Sequence, residues 1–261
     1  KLNAMGMKFG LWFEPEMVSP DSELYRAHPD WCIHAEGRPR SQTRNQLVLD
    51  LSRSDVCDYI IKSISDVLNS APISYVKWDY NRNFSEMGSA ALTPECQQEQ
   101  AHRYILGLYN ILEELNKRFP DVLFEGCSGG GGRFDPGMLY YMPQIWCSDD
   151  TDAVERIFIQ YGTSIVYPAV TISAHVSACP NHQVGRTTPF KMRGDVAMSG
   201  QFGYEMDLSA LSDEDLASAK EQVAFYKKYR NVVQYGDMYR LVSPYENDGE
   251  FAAWQFIKDK T

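Results

Sequence analysis

Four short segments of this chain gather carboxylates, amides and aromatic rings directly behind apolar runs. They are Gly10-Leu11-Trp12-Phe13-Glu14-Pro15-Glu16, Val76-Lys77-Trp78-Asp79-Tyr80-Asn81-Arg82, Glu125-Gly126-Cys127-Ser128 continuing through Gly129–Gly132 to Arg133, and Trp146-Cys147-Ser148-Asp149-Asp150-Thr151-Asp152. Two carboxyl groups with different surroundings can divide one reaction between them, one attacking an electron-poor centre and the other giving and taking a proton. Asp79 and Asp149 are the natural pair. Lys77 lies two residues before Asp79, on the same side of an extended strand, and its positive charge is expected to favour an ionised nucleophile. Asp149 has Asp150 and Asp152 as neighbours, and like charges nearby are expected to help a general acid keep its proton. Trp12, Trp78 and Trp146 end three of the runs, and aromatic faces beside a polar cleft suit the apolar face of a pyranose. Across such a ring, two carboxyl groups are what cleavage of a glycosidic bond requires.

The elements that must hold these groups follow from periodicity. Short β-type runs are predicted at residues 7–13, 74–78, 122–125, 144–147, 164–172 and 196–202. Between them lie helical patterns. Ser52 with Asp55 three residues on precedes Val56, Ile60, Ile61, Ile64, Val67 and Leu68, the arrangement of a capping box before an apolar face. Thr93-Pro94 opens a second pattern whose face is Tyr104, Ile105, Leu108, Ile111, Leu112 and Leu115, with Pro120 beyond its end. Ser212 with Asp215 opens a third through Leu216, Val223, Phe225, Tyr226 and Tyr229. Six strands alternating with helices, without a dinucleotide-binding glycine fingerprint, point to α/β architecture of the TIM-type (β/α)8 barrel. In that architecture catalytic groups stand at the C-terminal ends of strands, which is where the four segments lie. Two units are short of the eight, so strands 3 to 8 are expected, with the N-terminal part of the barrel missing. Residues 238–242 and 251–257 alternate like antiparallel strands around a turn at 246–250. The expected organisation is therefore a barrel over 1–236 and the beginning of a C-terminal β-sandwich domain over 237–261.

Composition narrows the partners. With 25 Lys+Arg against 35 Asp+Glu the net charge is −10, which repels nucleic acid and anionic membrane. The six cysteines are scattered singly, without a CxxC pair, so a reducing, cytoplasmic compartment is expected. No stretch of 18 apolar residues occurs, and the opening Lys1–Met5 lacks the apolar core of a signal peptide, although this start reads as truncated.

Each singled-out residue also has a structural reading. Asp79 can be a strand-end carboxylate paired with Lys77 or Arg82, the tryptophans can be core residues, and Asp152 fits a helix cap before Ala153 better than a catalytic group. Gly129–Gly132 lacks the Gly-Lys-Ser/Thr ending of a nucleotide loop and reads as a tight turn. His175, Cys179 and His182 invite a metal-dependent hydrolase, but with spacings of four and three and no carboxylate partner the pattern is a weak ligand set, and no metal site is assigned.

The strings Trp12–Glu16, Lys77–Arg82, Cys127–Arg133 and Ser148–Asp152 resemble, in order and spacing, the catalytic motifs of the glycoside hydrolase family 36 α-galactosidases, and the resemblance covers nearly the whole chain. It implies a retaining double displacement on terminal α-galactosyl bonds of melibiose- and raffinose-type sugars, without a cofactor. Asp79 would be the nucleophile and Asp149 the acid/base, with Trp12, Arg44, Lys77, Asn81, Cys127 and Gly130 lining the galactose subsite. It also implies a bacterial parent that is a homo-oligomer, often a tetramer. The family's upstream Trp and paired-Asp motif has no counterpart before Trp12. The alternatives are an α-N-acetylgalactosaminidase, for which Cys127 and Gly130 would have to leave room at the sugar's 2-position, a transglycosylase of the same mechanism, or a catalytically silent sugar-binding fragment.

Overall fold

A computed structural model describes residues 1–246 and 251–258 and separates the chain into two compact units. The first comprises residues 1–129 and 136–142. Its elements are β1 (Phe9–Phe13), β2 (Met17–Val18), α1 (Glu23–Ala27), β3 (Leu47–Val48), α2 (Ser54–Ser70), β4 (Ile73–Asp79), α3 (Gln100–Arg118), β5 (Leu123–Cys127) and α4 (Pro136–Tyr141). β4 pairs in parallel with β1 on one side and β5 on the other, while β2 and β3 form a small antiparallel pair. Alternation along β4 divides its side chains between two faces. Trp78 is fully buried, and its indole N–H donates to Glu16 at 2.7 Å, where the Tyr104 hydroxyl of α3 also donates at 2.6 Å. Lys77 and Asp79, one residue to either side, point the other way. α2 buries Val56, Ile60, Ile61, Ile64 and Leu68, and α3 buries Tyr104, Leu108, Ile111, Leu112 and Leu115. Each such side chain contributes about 1.5–3 kcal/mol of burial. α2 starts at Ser54 with no side-chain cap; the Ser52 hydroxyl bonds Asp50 at 2.6 Å, so the expected Ser52–Asp55 capping box does not form.

The second unit comprises residues 130–135 and 143–261. It carries β6 (Gln144–Trp146), α5 (Ala153–Thr163), β7 (Ile172–Ser177), α6 (Phe190–Ala197), β8 (Gln201–Glu205), α7 (Asp213–Tyr235), β9 (Asp237–Val242) and β10 (Ala253–Ile257). β6, β7 and β8 pair in parallel, and β9 pairs antiparallel with β10. Ala174 and Val176 of β7 join Phe190, Ala197 and Ala219 in one core cluster, leaving Ser173, His175 and Ser177 on the opposite face. α7 begins as expected, with Ser212 Oγ accepting from Asp215 N. The turn expected at 246–250 falls, apart from Glu246, outside the described residues.

Three parallel strands in each unit, alternating with helices, give the expected α/β class and the βα repeat of a TIM-type barrel. Two strands are displaced from their expected positions. The run at 164–172 is rich in β-branched residues, but α5 continues to Thr163, Ser164 N bonds Gln160 O, and Pro168 interrupts the ladder; β7 starts only at Ile172. The run at 196–202 begins inside α6, and β8 starts at Gln201. No helix among the described residues is long and apolar enough to cross a membrane.

Candidate active site

Asp79 is the last residue of β4, 7% exposed, and stands in register with Cys127, the last residue of β5. Its carboxylate accepts three hydrogen bonds, all from uncharged N–H groups. Trp12 Nε1 and Asn81 Nδ2 donate to Oδ2 at 3.2 and 2.8 Å, and the Tyr80 amide donates to Oδ1 at 2.9 Å. The two cations near Asp79 in sequence are engaged elsewhere. Arg82 donates to the Ser41 and Gln46 carbonyls, and Lys77 Nζ lies 3.6 Å from Glu125 Oε1, its direct cross-strand neighbour.

Glu14 is the hub that the residue spacing did not single out. It accepts from Asn81 at 2.5 Å, Arg44 at 2.9 Å and Gln46 at 3.1 Å. Arg44 reaches it from a two-residue turn in which Thr43 and Gln46 exchange both backbone hydrogen bonds, at 3.3 and 3.0 Å. Arg44 and Asn45 both have positive φ, 55° and 58°, as a type I′ turn requires. For Arg this conformation costs on the order of 1 kcal/mol, and such strain concentrates where a side chain must be aimed. Below Asp79 on the same strand face, the Tyr75 hydroxyl donates to fully buried Glu125. Burial and the Glu125 charge push the Tyr75 phenol well above its ordinary value, so it remains a donor.

Of the three tryptophans expected to face sugar, only Trp12 is exposed, at 50%. Trp78, at 0%, points into the helix layer, and Trp146, at 3%, is packed beneath its loop. Cys127 is buried at the end of β5, and none of the six cysteines is in a disulfide.

In the second unit, Asp149 follows β6 in an exposed loop, and its Oδ1 accepts from Trp146 Nε1 at 3.0 Å. The Trp146 ring is packed against the Arg156 guanidinium at 4.1 Å and the His175 imidazole at 4.6 Å. The neighbouring aspartates have other duties. Asp150 Oδ1 accepts from Asp152 N at 3.0 Å; Asp152 Oδ2 caps α5 by accepting from Val154 N and Glu155 N, and pairs with Arg186. Gly130, expected at the sugar, lies backbone to backbone against this loop: at φ +82° its missing Cβ would stand 2.8 Å from Ser148 Cα and 2.9 Å from Asp149 N. His175 pairs with Glu205 at 3.1 Å instead of joining Cys179 and His182, and among the described residues no group of three or more His, Cys, Asp or Glu is placed to hold a metal.

Residues 1–236 match the family model described as Melibiase. α-Galactosidase AgaA of Geobacillus stearothermophilus is 65% identical over 257 residues, 98% of this chain and 35% of AgaA, and its crystal structure superposes with a TM-score of 0.95. α-Galactosidase Mel36A of Lactobacillus acidophilus is 51% identical over 256 residues, again 98% of this chain and 35% of that protein. The chain thus spans about a third of the length of these curated relatives. Two further AgaA structures are complexes, one with raffinose at TM-score 0.94 and one with stachyose at 0.95. In the first an aspartate is replaced by asparagine and in the second another aspartate by alanine, at positions separated by as many residues as Asp79 and Asp149 are here. With its motifs, its βα repeat and its matched residues in agreement, the chain belongs to the Melibiase family, among the glycoside hydrolase family 36 α-galactosidases.

Proposed function

We propose that this chain is the larger part of the catalytic domain of a retaining exo-α-galactosidase acting on raffinose- and melibiose-type sugars. Asp79 attacks the anomeric carbon and forms a glycosyl-enzyme; Asp149 protonates the departing oxygen and then takes a proton from the incoming water. The observation that carries this reading is the Asp79 carboxylate, buried at a strand end and fixed by three uncharged donors. Such an arrangement orients an attacking oxygen without tying it into an ion pair. The matching separation of the replaced aspartates in the two AgaA sugar complexes supports Asp79 and Asp149 as the working pair. Trp12, Arg44, Lys77, Asn81 and Cys127 are read as galactose contacts, and Gly130 as the close-packed support of the Asp149 loop. The barrel is read as residues 1–236, with β9 and β10 opening a further β-domain, in keeping with the end of the family match at 236. Cytoplasmic residence in a bacterium is in keeping with six cysteines outside any disulfide.

The test is galactose release from p-nitrophenyl α-galactoside by the full-length protein, with Asp79→Asn alongside and the first product followed by NMR. α-Galactose as the initial anomer, lost in Asp79→Asn, is the expected result. Initial β-galactose, or activity surviving the substitution, overturns the assignment.

A further inference from the structure

At the C-terminal ends of β1 and β4 two pairs of residues address one another. Trp12 and Glu14 are two residues apart, on β1 and just beyond it, Asp79 and Asn81 are two apart, on β4 and just beyond it, and the two strands pair in parallel. Trp12 donates to Asp79, and Asn81 donates to Glu14. The Asn81 amide nitrogen has two hydrogens, and both are committed: Nδ2 lies 2.5 Å from Glu14 Oε1 and 2.8 Å from Asp79 Oδ2. Its Oδ1 accepts from Gly129 N at 3.2 Å, which fixes the amide against flipping. Two carboxylates are therefore bridged by one NH2 group, and only Asp79 has a part in the proposed chemistry.

Glu14 has the properties of a support. Its side chain is 8% exposed, and its two oxygens accept from Asn81, Arg44 and Gln46. A carboxylate is acceptor-only, which is what three converging donors need; an amide at this position would turn its own NH2 against at least one of them. Arg44 supplies the opposite charge that a buried carboxylate requires, while half of its own side chain stays exposed. The reaction gives Glu14 a second use. Once Asp79 is esterified in the glycosyl-enzyme it is neutral, so its bond to Asn81 loses charge assistance, whereas Glu14, paired with Arg44, still holds Asn81 by a charge-assisted bond. We propose that Glu14 is a positioning residue that sets two site groups at once, the nucleophile through Asn81 and the galactose contact Arg44 through their ion pair. The inference rests on Asp79 being the nucleophile and on Arg44 touching galactose.

The experiment is a pair of double-variant cycles in the full-length protein, with kcat and KM on p-nitrophenyl α-galactoside measured for Glu14→Gln in the parent, Arg44→Ala and Asn81→Ala backgrounds. In the parent, kcat/KM is expected to fall roughly ten- to a hundredfold, the loss divided between a lower kcat and a higher KM. In the Arg44→Ala background the same substitution is expected to lower kcat alone, and in Asn81→Ala to raise KM alone. A residue that only supports the fold gives equal proportional losses in all three backgrounds, and that result, or a parent loss below twofold, overturns the proposal. Glu14→Asp keeps the test open if Glu14→Gln does not fold. The long Arg44 side chain can follow the shorter acid but the anchored Asn81 cannot, so kcat falls while KM stays within twofold of the parent; both values within twofold count against Glu14. Failure of the underlying reading shows separately, as activity surviving Asp79→Asn or a parental KM in Arg44→Ala alone.

Discussion

Asp79 and Asp149 both stand behind a strand, yet the two units hold them in opposite ways. Asp79 closes β4, is buried and accepts from three N–H groups, while Asp149 lies in an exposed loop and accepts one hydrogen bond, from Trp146. An attacking oxygen has to be placed within a fraction of an ångström, and a strand end with a shell of three donors does that. A group that must release a proton and later recover it needs access and few competing donors. The acidic neighbours sharpen the contrast, because Asp150 and Asp152 are engaged in shaping the loop and capping α5. Of the three aspartates, Asp149 is the one that lines a cavity shared with Ser177, His182, Gln183 and Glu205.

The contrast is broken most directly by removing the two carboxylates. Asp79→Asn is expected to lower kcat by on the order of 10⁴-fold or more, the scale seen when a nucleophile is lost. Asp149→Asn is expected to cost about 10²–10⁴-fold on raffinose. Steady-state kinetics that gave the reverse order would exchange the roles. Next comes the donor shell of Asp79. Asn81 bridges Asp79 and Glu14 through one amide nitrogen and accepts from Gly129 N at 3.2 Å, so Asn81→Ala loses charge-assisted bonds. A fall of roughly ten- to a hundredfold in kcat/KM is expected. A loss below twofold would mean that Trp12 and Tyr80 suffice to hold the nucleophile. In the second unit the corresponding support is steric: Gly130→Ala places a methyl group against the Ser148–Asp149 backbone at a φ that L-residues avoid. About 1–3 kcal/mol of stability is expected to go, read as a lower Tm by calorimetry. An unchanged Tm would show that the loop yields freely.

How far these features are legible in the sequence depends on whether they are local. The strand-to-helix alternation, the α7 cap at Ser212 and the Asp152 cap are set by neighbours a few residues away, and the pattern reveals them. Asp79 and Asp149 stand out because strand ends can be placed for β4 and β6. With β7 and β8 expected to end at 172 and 202 instead of 177 and 205, Ser177 and Glu205 are passed over, although they face the same cavity as Asp149. Glu14 becomes a hub only through Arg44, 30 residues away, and Asn81, 67 away, which no local pattern connects. Trp78 misleads for a different reason: it sits beside Asp79 in sequence, and the two-residue period of the strand turns it to the opposite face.

The smallest expected effect tests the division of labour within the acidic loop itself. Asp152 is fully buried, caps α5 through two backbone amides and pairs with Arg186, whose side chain is 38% exposed. Asp152→Ala removes the cap, which costs about 1 kcal/mol. It does not incur the several-kcal/mol penalty of a broken buried pair, because the group left behind is the partly solvated guanidinium, and a screened pair of this kind contributes little beyond the cap. The expected outcome is a modest drop in denaturation midpoint with kcat on aryl galactoside within about threefold of the parent, since the carboxylate touches neither Asp149 nor the cavity lining. If kcat instead falls as far as in Asp149→Asn, proton transfer is shared across the loop, and the contrast between one anchored and one unencumbered carboxylate gives way to a contrast between a single residue and a cluster.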